Sequence, residues 1–233
     1  MPRPGRRPDS VSGTLFVVAT PIGNLEDVTL RALRVLREVD VVACEDTRRT
    51  RALLAHFDIH TPTLSYFEHN KLARGPQILR QLAAGKSVAL VTDAGTPGIS
   101  DPGFMLVRDA RAAGVPVVPV AGPSAVAAAL SAAGVPADRF VFDGFPPVKP
   151  GRRRNRLAAL RDLKTTVVLY ESPHRILATL DAIGEVFGER EIVVARELTK
   201  RFEEIVRATP GAHRERLATA GVRGEFTLVI PPD

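Results

Sequence analysis

The sequence predicts an α/β protein built as two α/β lobes with a cleft between them. Three observations carry that expectation. Short β-branched runs alternate with helical patterns through the first half of the chain. The run Val88–Thr92 ends in the Gly/Pro-rich loop "DAGTPGISDPG", as strands of open α/β sheets do where small ligands bind. Near Pro136 the rhythm changes, and the last strands follow one another with little helix between them. Alternation of the first kind means a largely parallel sheet covered by helices, and the second pattern means a mixed sheet.

Taken in order, residues 1–12 read as a flexible basic tail carrying Arg3, Arg6 and Arg7. Strands are expected at Leu15–Thr20, Val39–Cys44, Thr61–Phe67, Val88–Thr92 and Val115–Val120. Helices are expected at about 28–38, 47–57, 70–84, 103–113 and 124–133. Asp101-Pro102 and Ser172-Pro173 each set a capping side chain before a proline, which the first helical position tolerates. The N-terminal domain is thus assigned to 13–134 and the C-terminal domain to 135–233. In the latter, "RFVFDGF" is a strand, "GRRRNRLAALRDLK" a basic helix, "TTVVLYES" a strand and "HRILATLDAIGEVFG" an amphipathic helix. "REIVVARELT", "FEEIVRAT" and "EFTLVI" follow as strands, with a short helix near 210–220.

Composition narrows the function class. The chain has 233 residues, 45% of them hydrophobic, so a sizeable core is available. A net charge of +6, carried mostly by Arg, favours an anionic partner, nucleic acid first. A bias in genome base composition would give the same excess. The single cysteine, Cys44, excludes an internal disulfide and a Cys-based zinc site, and fits a cytoplasmic setting. The apolar run "TLFVVAT" is too short for a signal peptide. Val115–Ala137 carries no charge, but its four prolines make it a strand, a turn and an Ala-rich helix, so no membrane association is expected.

Familiar nucleotide and hydrolase motifs fail. "GKS" at Gly85–Ser87 precedes a strand instead of following one, so it is not a P-loop. "AGPSA" lacks the glycine that a nucleophile elbow requires after its serine. "ATPIGN" has one glycine where the dinucleotide fingerprint needs three. His56 and His60 have helical spacing but no accompanying Glu, and no metal site is expected. What remains is a set of loops at strand ends: "ATPIGNLED", "CEDTRRT", "DAGTPGISDPG" and "VAGPSAV". In a parallel sheet they gather on one edge. Residues 93–103 contain no Lys or Arg, which disfavours a polyphosphate and favours a neutral or cationic ligand with hydroxyl and amino groups.

"LFVVATPIGNLEDVTLRALRVLREVDVVACEDTRRT", "DAGTPGISDPG", "AGPSA", "YESPHR" and "ARELTK" together resemble the ribosomal small-subunit RNA methyltransferase I family. That family belongs to the tetrapyrrole methylase superfamily, the class III methyltransferases. The resemblance covers roughly residues 13–230. It implies two α/β lobes, S-adenosylmethionine in the cleft with S-adenosylhomocysteine as product, and a homodimer. It also implies methylation of a cytidine ribose 2′-hydroxyl in the decoding region of 16S rRNA, on the small ribosomal subunit. By the same resemblance Pro21, Asp93, Ala94, Gly95, Thr96, Ile99, Ser124, Ala125 and Leu169 would bind the cofactor.

A ribose hydroxyl is a weak acid, so a general base is sought among Glu45, Asp46 and Glu171, with His174 and Lys200 behind them. Asp46 is equally a natural N-cap before Thr47, and Glu171 has an ion-pair partner in Arg175. Arg48, Arg49 and Arg51, and Arg152, Arg153, Arg154 and Arg156 on the basic helix, are the candidate phosphate contacts. No linear aromatic signature of RNA recognition is visible. Two other classes stay open on residues alone: a methylase of a tetrapyrrole ring, and a non-catalytic RNA-binding assembly factor.

Overall fold

The computed structural model describes residues 13–100 and 103–232. The expected tail at 1–12 and the Asp101-Pro102 cap lie outside them. The described chain separates into two compact units. One holds residues 13–21 and 25–123, the other residues 22–24 and 124–232. The expected boundary at 134/135 therefore moves to 123/124.

The first unit is a parallel five-stranded sheet of order β3-β2-β4-β1-β5. Its strands are β1 Leu15–Val18, β2 Val41–Cys44, β3 Thr63–Ser65, β4 Val88–Leu90 and β5 Val117–Val120. The intervening helices are α1 Leu30–Glu38, α2 Thr47–His56, α3 Lys71–Ala83 and α4 Phe104–Ala112. A 3-10 turn at Leu25–Asp27 precedes α1. Right-handed crossovers put α1 and α2 on one face, over Val18, Val42, Ala89 and Val120. The other face, with Leu15, Ala43, Val88 and Leu90, receives α3 and α4. The inner strands β2 and β4 are buried on both faces, whereas β3 and β5, at the sheet edges, are only partly covered. α1 begins at Thr29, whose hydroxyl accepts from Ala32 N at 3.1 Å.

The second unit is a mixed sheet of order β6-β7-β10-β8-β9. Its strands are β6 Phe140–Phe142, β7 Thr166–Glu171, β8 Ile192–Arg196, β9 Glu204–Ala208 and β10 Phe226–Ile230. β6 and β7 are parallel; the β7-β10, β10-β8 and β8-β9 pairs are antiparallel. Helices α6 Pro150–Arg161, α7 Ile176–Phe187 and α8 Pro210–Ala220 cover one face. The other face, with Val168, Val193 and Val229, is covered by α5 Ala125–Ala133 through Val126, Ala129, Leu130 and Ala133. That packing draws α5 into the second unit and sets its boundary. The Ser172-Pro173 cap is not realised. Residues 172–175 form a turn in which Arg175 N and Ile176 N reach Ser172 O, and α7 starts at Ile176. No helix among the described residues is long and apolar enough to cross a membrane.

Candidate functional site

In the first unit β1 and β4 are neighbours, yet β1 leads by way of α1 toward β2 and β4 by way of α4 toward β5. Their following loops depart to opposite faces of the sheet. Such a divergence at strand C-termini is where open α/β sheets hold ligands. The loops are tied together there. Thr20 and Gly95 exchange backbone hydrogen bonds of 2.9 and 3.0 Å, and Thr20 Oγ1 donates to Thr92 O at 3.2 Å. Thr96 Oγ1 donates to Pro123 O at 3.2 Å, joining the loop after β4 to the loop after β5. Gly122 lies so close to β1 that a Cβ on it would stand 3.0 Å from Ala19 Cβ. From the loop after β2, Asp46 N donates to Asp93 Oδ1 at 3.0 Å, and Arg49 stands 3.5 Å from Asp93 Oδ2.

The structure thus brings Pro21, Asp93, Ala94, Gly95, Thr96 and Ile99 to one edge, with Glu45 and Asp46 beside them. Ala94, Gly98 and Ile99 are exposed. Gly98 has φ +83° and open space where a Cβ would be, so the chain turns there with its main chain uncovered. S-adenosylmethionine has amino and hydroxyl groups and a sulfonium charge. The polar set of this edge suits it: main-chain groups and the Asp93 carboxylate, with the nearby Arg48 and Arg49 each paired to an aspartate, Asp46 and Asp93. The hydroxyls do less than expected. Thr96 is tied to Pro123, and Ser124 Oγ caps α5 by accepting from Ala127 N at 3.5 Å. Each of these two residues therefore offers a ligand mainly its main chain.

Ser124, Ala125 and Leu169 belong to the second unit. Ala125 opens α5 and packs against that unit's core. Leu169 is 0% exposed among the side chains of α6 and α7, so its side chain cannot cover an adenine, and only its main chain could meet a cofactor.

The three carboxylates separate clearly. Asp46 is the N-cap of α2: its Oδ1 accepts from Arg48 N at 2.8 Å, and its Oδ2 pairs with Arg48 Nη2 at 2.8 Å. Those hydrogen bonds from Arg48 hold its pKa down to about 2, which makes it a poor base. A carboxylate with a depressed folded pKa stabilises the fold above its unfolded value near 4 and loses that contribution as pH falls toward 2. Asp46→Ala should lower the melting temperature by ~2–4 °C at neutral pH, as loss of an N-cap does. The deficit should shrink progressively in scans taken from pH 5 down toward 2, and turnover should fall only in step with unfolding. Full stability at pH 7 would rule out the capping role.

Glu171 is a correction. Along β7 it follows Val167 and Leu169 on the face toward α6 and α7, because strand side chains alternate. Its side chain is 0% exposed. Oε2 accepts from Thr179 Oγ1 at 2.6 Å, while Oε1 accepts from Ser172 N at 2.8 Å and pairs with Arg175 at 2.8 Å. A carboxylate so enclosed cannot reach a ribose. Lys200 is held by Glu197 at 2.8 Å and Glu225 at 2.9 Å, while His174 lies exposed in the turn before α7. Glu45 remains. It stands half-buried at the end of β2, and burial first, then the nearby Asp93 charge, raise its pKa above the ordinary carboxylate value, with Arg49 opposing.

Arg153 is the second correction. It is 5% exposed, donating to Thr179 Oγ1 at 3.0 Å and to Val148 O at 3.5 Å. Its neighbours differ. Arg152 is exposed, Arg154 meets Glu185 at 3.3 Å and Arg156 forks onto Asp143. Arg48, Arg49 and Arg51 are exposed, the last donating to Thr63 Oγ1 at 3.0 Å. Surface pairs of this kind are weak and exchange readily for phosphate. Among the described residues no group of His, Cys, Asp or Glu could hold a metal ion.

The model of the Tetrapyrrole (Corrin/Porphyrin) Methylases matches residues 14–212. A curated relative from Pseudomonas aeruginosa, "Ribosomal RNA small subunit methyltransferase I", is 56% identical over 195 residues, 83% of this chain and 69% of that one. Relatives of the same name come from Xylella fastidiosa (50% identity, covering 95% of this chain and 82% of that one) and Bacillus subtilis (45% identity, 94% and 75%). Among solved structures, uroporphyrin-III-C-methyltransferase from Thermus thermophilus aligns with TM-score 0.66 at 21% identity, over 94% of each chain. A diphthine synthase aligns with TM-score 0.72 at 16% identity, over 94% of this chain and 90% of that one. At such identities these two speak for the fold alone, whereas the match over residues 14–212 and the identities of 45–56% carry more: the chain belongs to the tetrapyrrole methylase family, in its ribosomal RNA small subunit methyltransferase I branch.

Proposed function

We propose that this chain methylates the 2′-hydroxyl of a cytidine ribose in the decoding region of 16S rRNA, acting on the small ribosomal subunit, as a cytoplasmic homodimer. The observation that carries this reading is the 45–56% identity to relatives named for ribosomal RNA small subunit methylation, over 83–95% of the chain. When bound, S-adenosylmethionine supplies a methyl group already activated on sulfur. The main chain of residues 93–99 would hold it. Everything else is asked of side chains on this chain. Glu45 takes the proton of the 2′-hydroxyl onto its carboxylate as the oxygen attacks, then releases it to solvent. A raised pKa suits that task, since a base works best when its pKa approaches the operating pH. Asp93 fixes the backbone at Asp46 and restrains Arg49, setting the orientation of the Glu45 loop. Arg48, Arg49, Arg51, Arg152, Arg154 and Arg156 meet phosphates, and holding the nucleotide in line supplies much of the remaining rate.

The test incubates the protein with labelled S-adenosylmethionine and small subunits lacking the modification, then maps the label. A single labelled cytidine, resistant to alkaline hydrolysis at its 3′ side, is expected. S-adenosylmethionine should also raise the melting temperature, whereas NAD and ATP should not. Label on a base or on protein, or equal shifts from all three compounds, contradicts the assignment.

A further inference from the structure

The second unit carries an aromatic cluster that no linear motif announces. Phe142 and Tyr170 meet edge-on with centroids 4.7 Å apart, and Tyr170 meets Phe145 at 5.8 Å. Tyr170 N donates to Gly144 O at 2.9 Å, so the segment running from β6 to Phe145 stays alongside the end of β7. The guanidinium of Arg175 lies 5.8 Å from the centre of the Phe145 ring. Arg175 is itself fixed. It pairs with the fully buried Glu171 at 2.8 Å and donates to Pro146 O at 3.2 Å. Phe145 is nevertheless 51% exposed, and Val148 just beyond it 70% exposed. The chain then enters α6, whose Arg152, Arg154 and Arg156 are exposed.

What sets Phe145 apart from other exposed rings is its setting: a second aromatic ring at its edge, a fixed cation behind it and a basic helix just beyond. It has the parts of a single-stranded nucleic-acid site, in which a base stacks on an aromatic face while cations follow the backbone. We propose that Phe145, braced by Tyr170 and Arg175, is a stacking platform for one unpaired nucleobase of the RNA substrate, with α6 contacting the adjoining phosphates. Recognition of RNA through splayed bases in loops is the general mode for sequence-specific proteins. A side chain that stacks needs a π face rather than mere apolar bulk, and that distinction makes the proposal testable. It rests on the rRNA reading above.

The experiment compares wild type with Phe145→Ala, Phe145→Leu and Phe145→Trp. Binding to undermethylated small subunits, S-adenosylmethionine affinity and melting temperature are measured on each. Phe145→Ala and Phe145→Leu should both weaken subunit binding about tenfold, the size expected for one lost stacked base. Phe145→Trp should bind as wild type, and cofactor affinity should be unchanged throughout. Ultraviolet cross-linking of wild type should join Phe145 to one base. If Phe145→Leu binds as wild type, or the cross-link forms only elsewhere, the platform is overturned. A wild type that transfers label to subunits while Phe145→Ala binds and reacts normally removes the platform but keeps the rRNA reading. A wild type that neither binds nor labels subunits removes both.

Discussion

Glu45→Gln is expected to lose about 10²- to 10⁴-fold in single-turnover rate while keeping S-adenosylmethionine and subunit affinity, the range a positioned base contributes. In wild type the rate should rise with pH through the elevated Glu45 pKa and then level; the variant should lack that limb. Stability supplies an independent check. Burial and Asp93 raise the Glu45 pKa in the folded protein, so the ionised form is the one the fold disfavours. A group of this kind supports folding below its unfolded pKa and stops doing so as pH rises through the folded value. At neutral pH, therefore, Glu45→Gln should melt no lower than wild type, and the gap in its favour should close toward pH 4. A near-normal rate in Glu45→Gln would leave alignment and desolvation of the hydroxyl as the sources of catalysis. A large fall in melting temperature would instead make Glu45 a structural residue.

Glu171→Ala is expected to do the opposite, wrecking stability rather than chemistry. It removes the acceptor shared by Thr179, Arg175 and Ser172 N inside the α6-α7 core. Arg153 reaches the same Thr179 from α6. Removing one partner of a buried ion pair costs about 3–5 kcal/mol, because the survivor keeps a charge without its counterpart. In a chain of this size that is a fall on the order of 10 °C in melting temperature. Turnover per folded molecule should be kept within a few-fold, because the carboxylate does not reach solvent. Glu171→Gln separates the readings. If it melts like wild type but cannot turn over, Glu171 is a base after all and the enclosed geometry misleads. If it melts low and still turns over, the carboxylate is the keystone between β7, α6 and α7.

The fold was legible because the inner strands of the first sheet are buried on both faces and helices such as α1 and α3 carry clear apolar stripes. Each expected strand and helix has a counterpart: most are shorter by a residue or two at their ends, β6 and β8 lose three residues at their C-terminal ends, α6 is shifted to Pro150–Arg161, and α8 keeps its expected bounds. The site was legible as far as loops go, since Gly and Pro at strand ends advertise a main-chain binding edge. Side-chain direction was where reading the sequence alone failed. "GRRRNRL" looks like one basic run, yet Arg153 stands four residues before Leu157 and seven before Leu160, on the buried stripe of α6. That spacing was available and marks Arg153 as inward. Glu171 likewise shares strand parity with Leu169, so an apolar neighbour two residues back was the warning. Phe145 had no such signal. Its platform draws on Phe142, Tyr170 and Arg175, which meet only once β6 pairs with β7.

The strand order of the first unit also dictates when during synthesis the protein can fold. β1 is made first but lies between β4 and β5, with Leu15 aligned to Val88 on one side and Val117 on the other. Its backbone groups therefore wait for partners far along the chain, and a nascent chain lacking β5 holds an apolar strand with an open edge. Parallel pairings this distant form slowly. Until the chain has been made as far as Val120, Leu15–Val18 lacks its β5 partner, so the strand made first is the one whose pairing closes last.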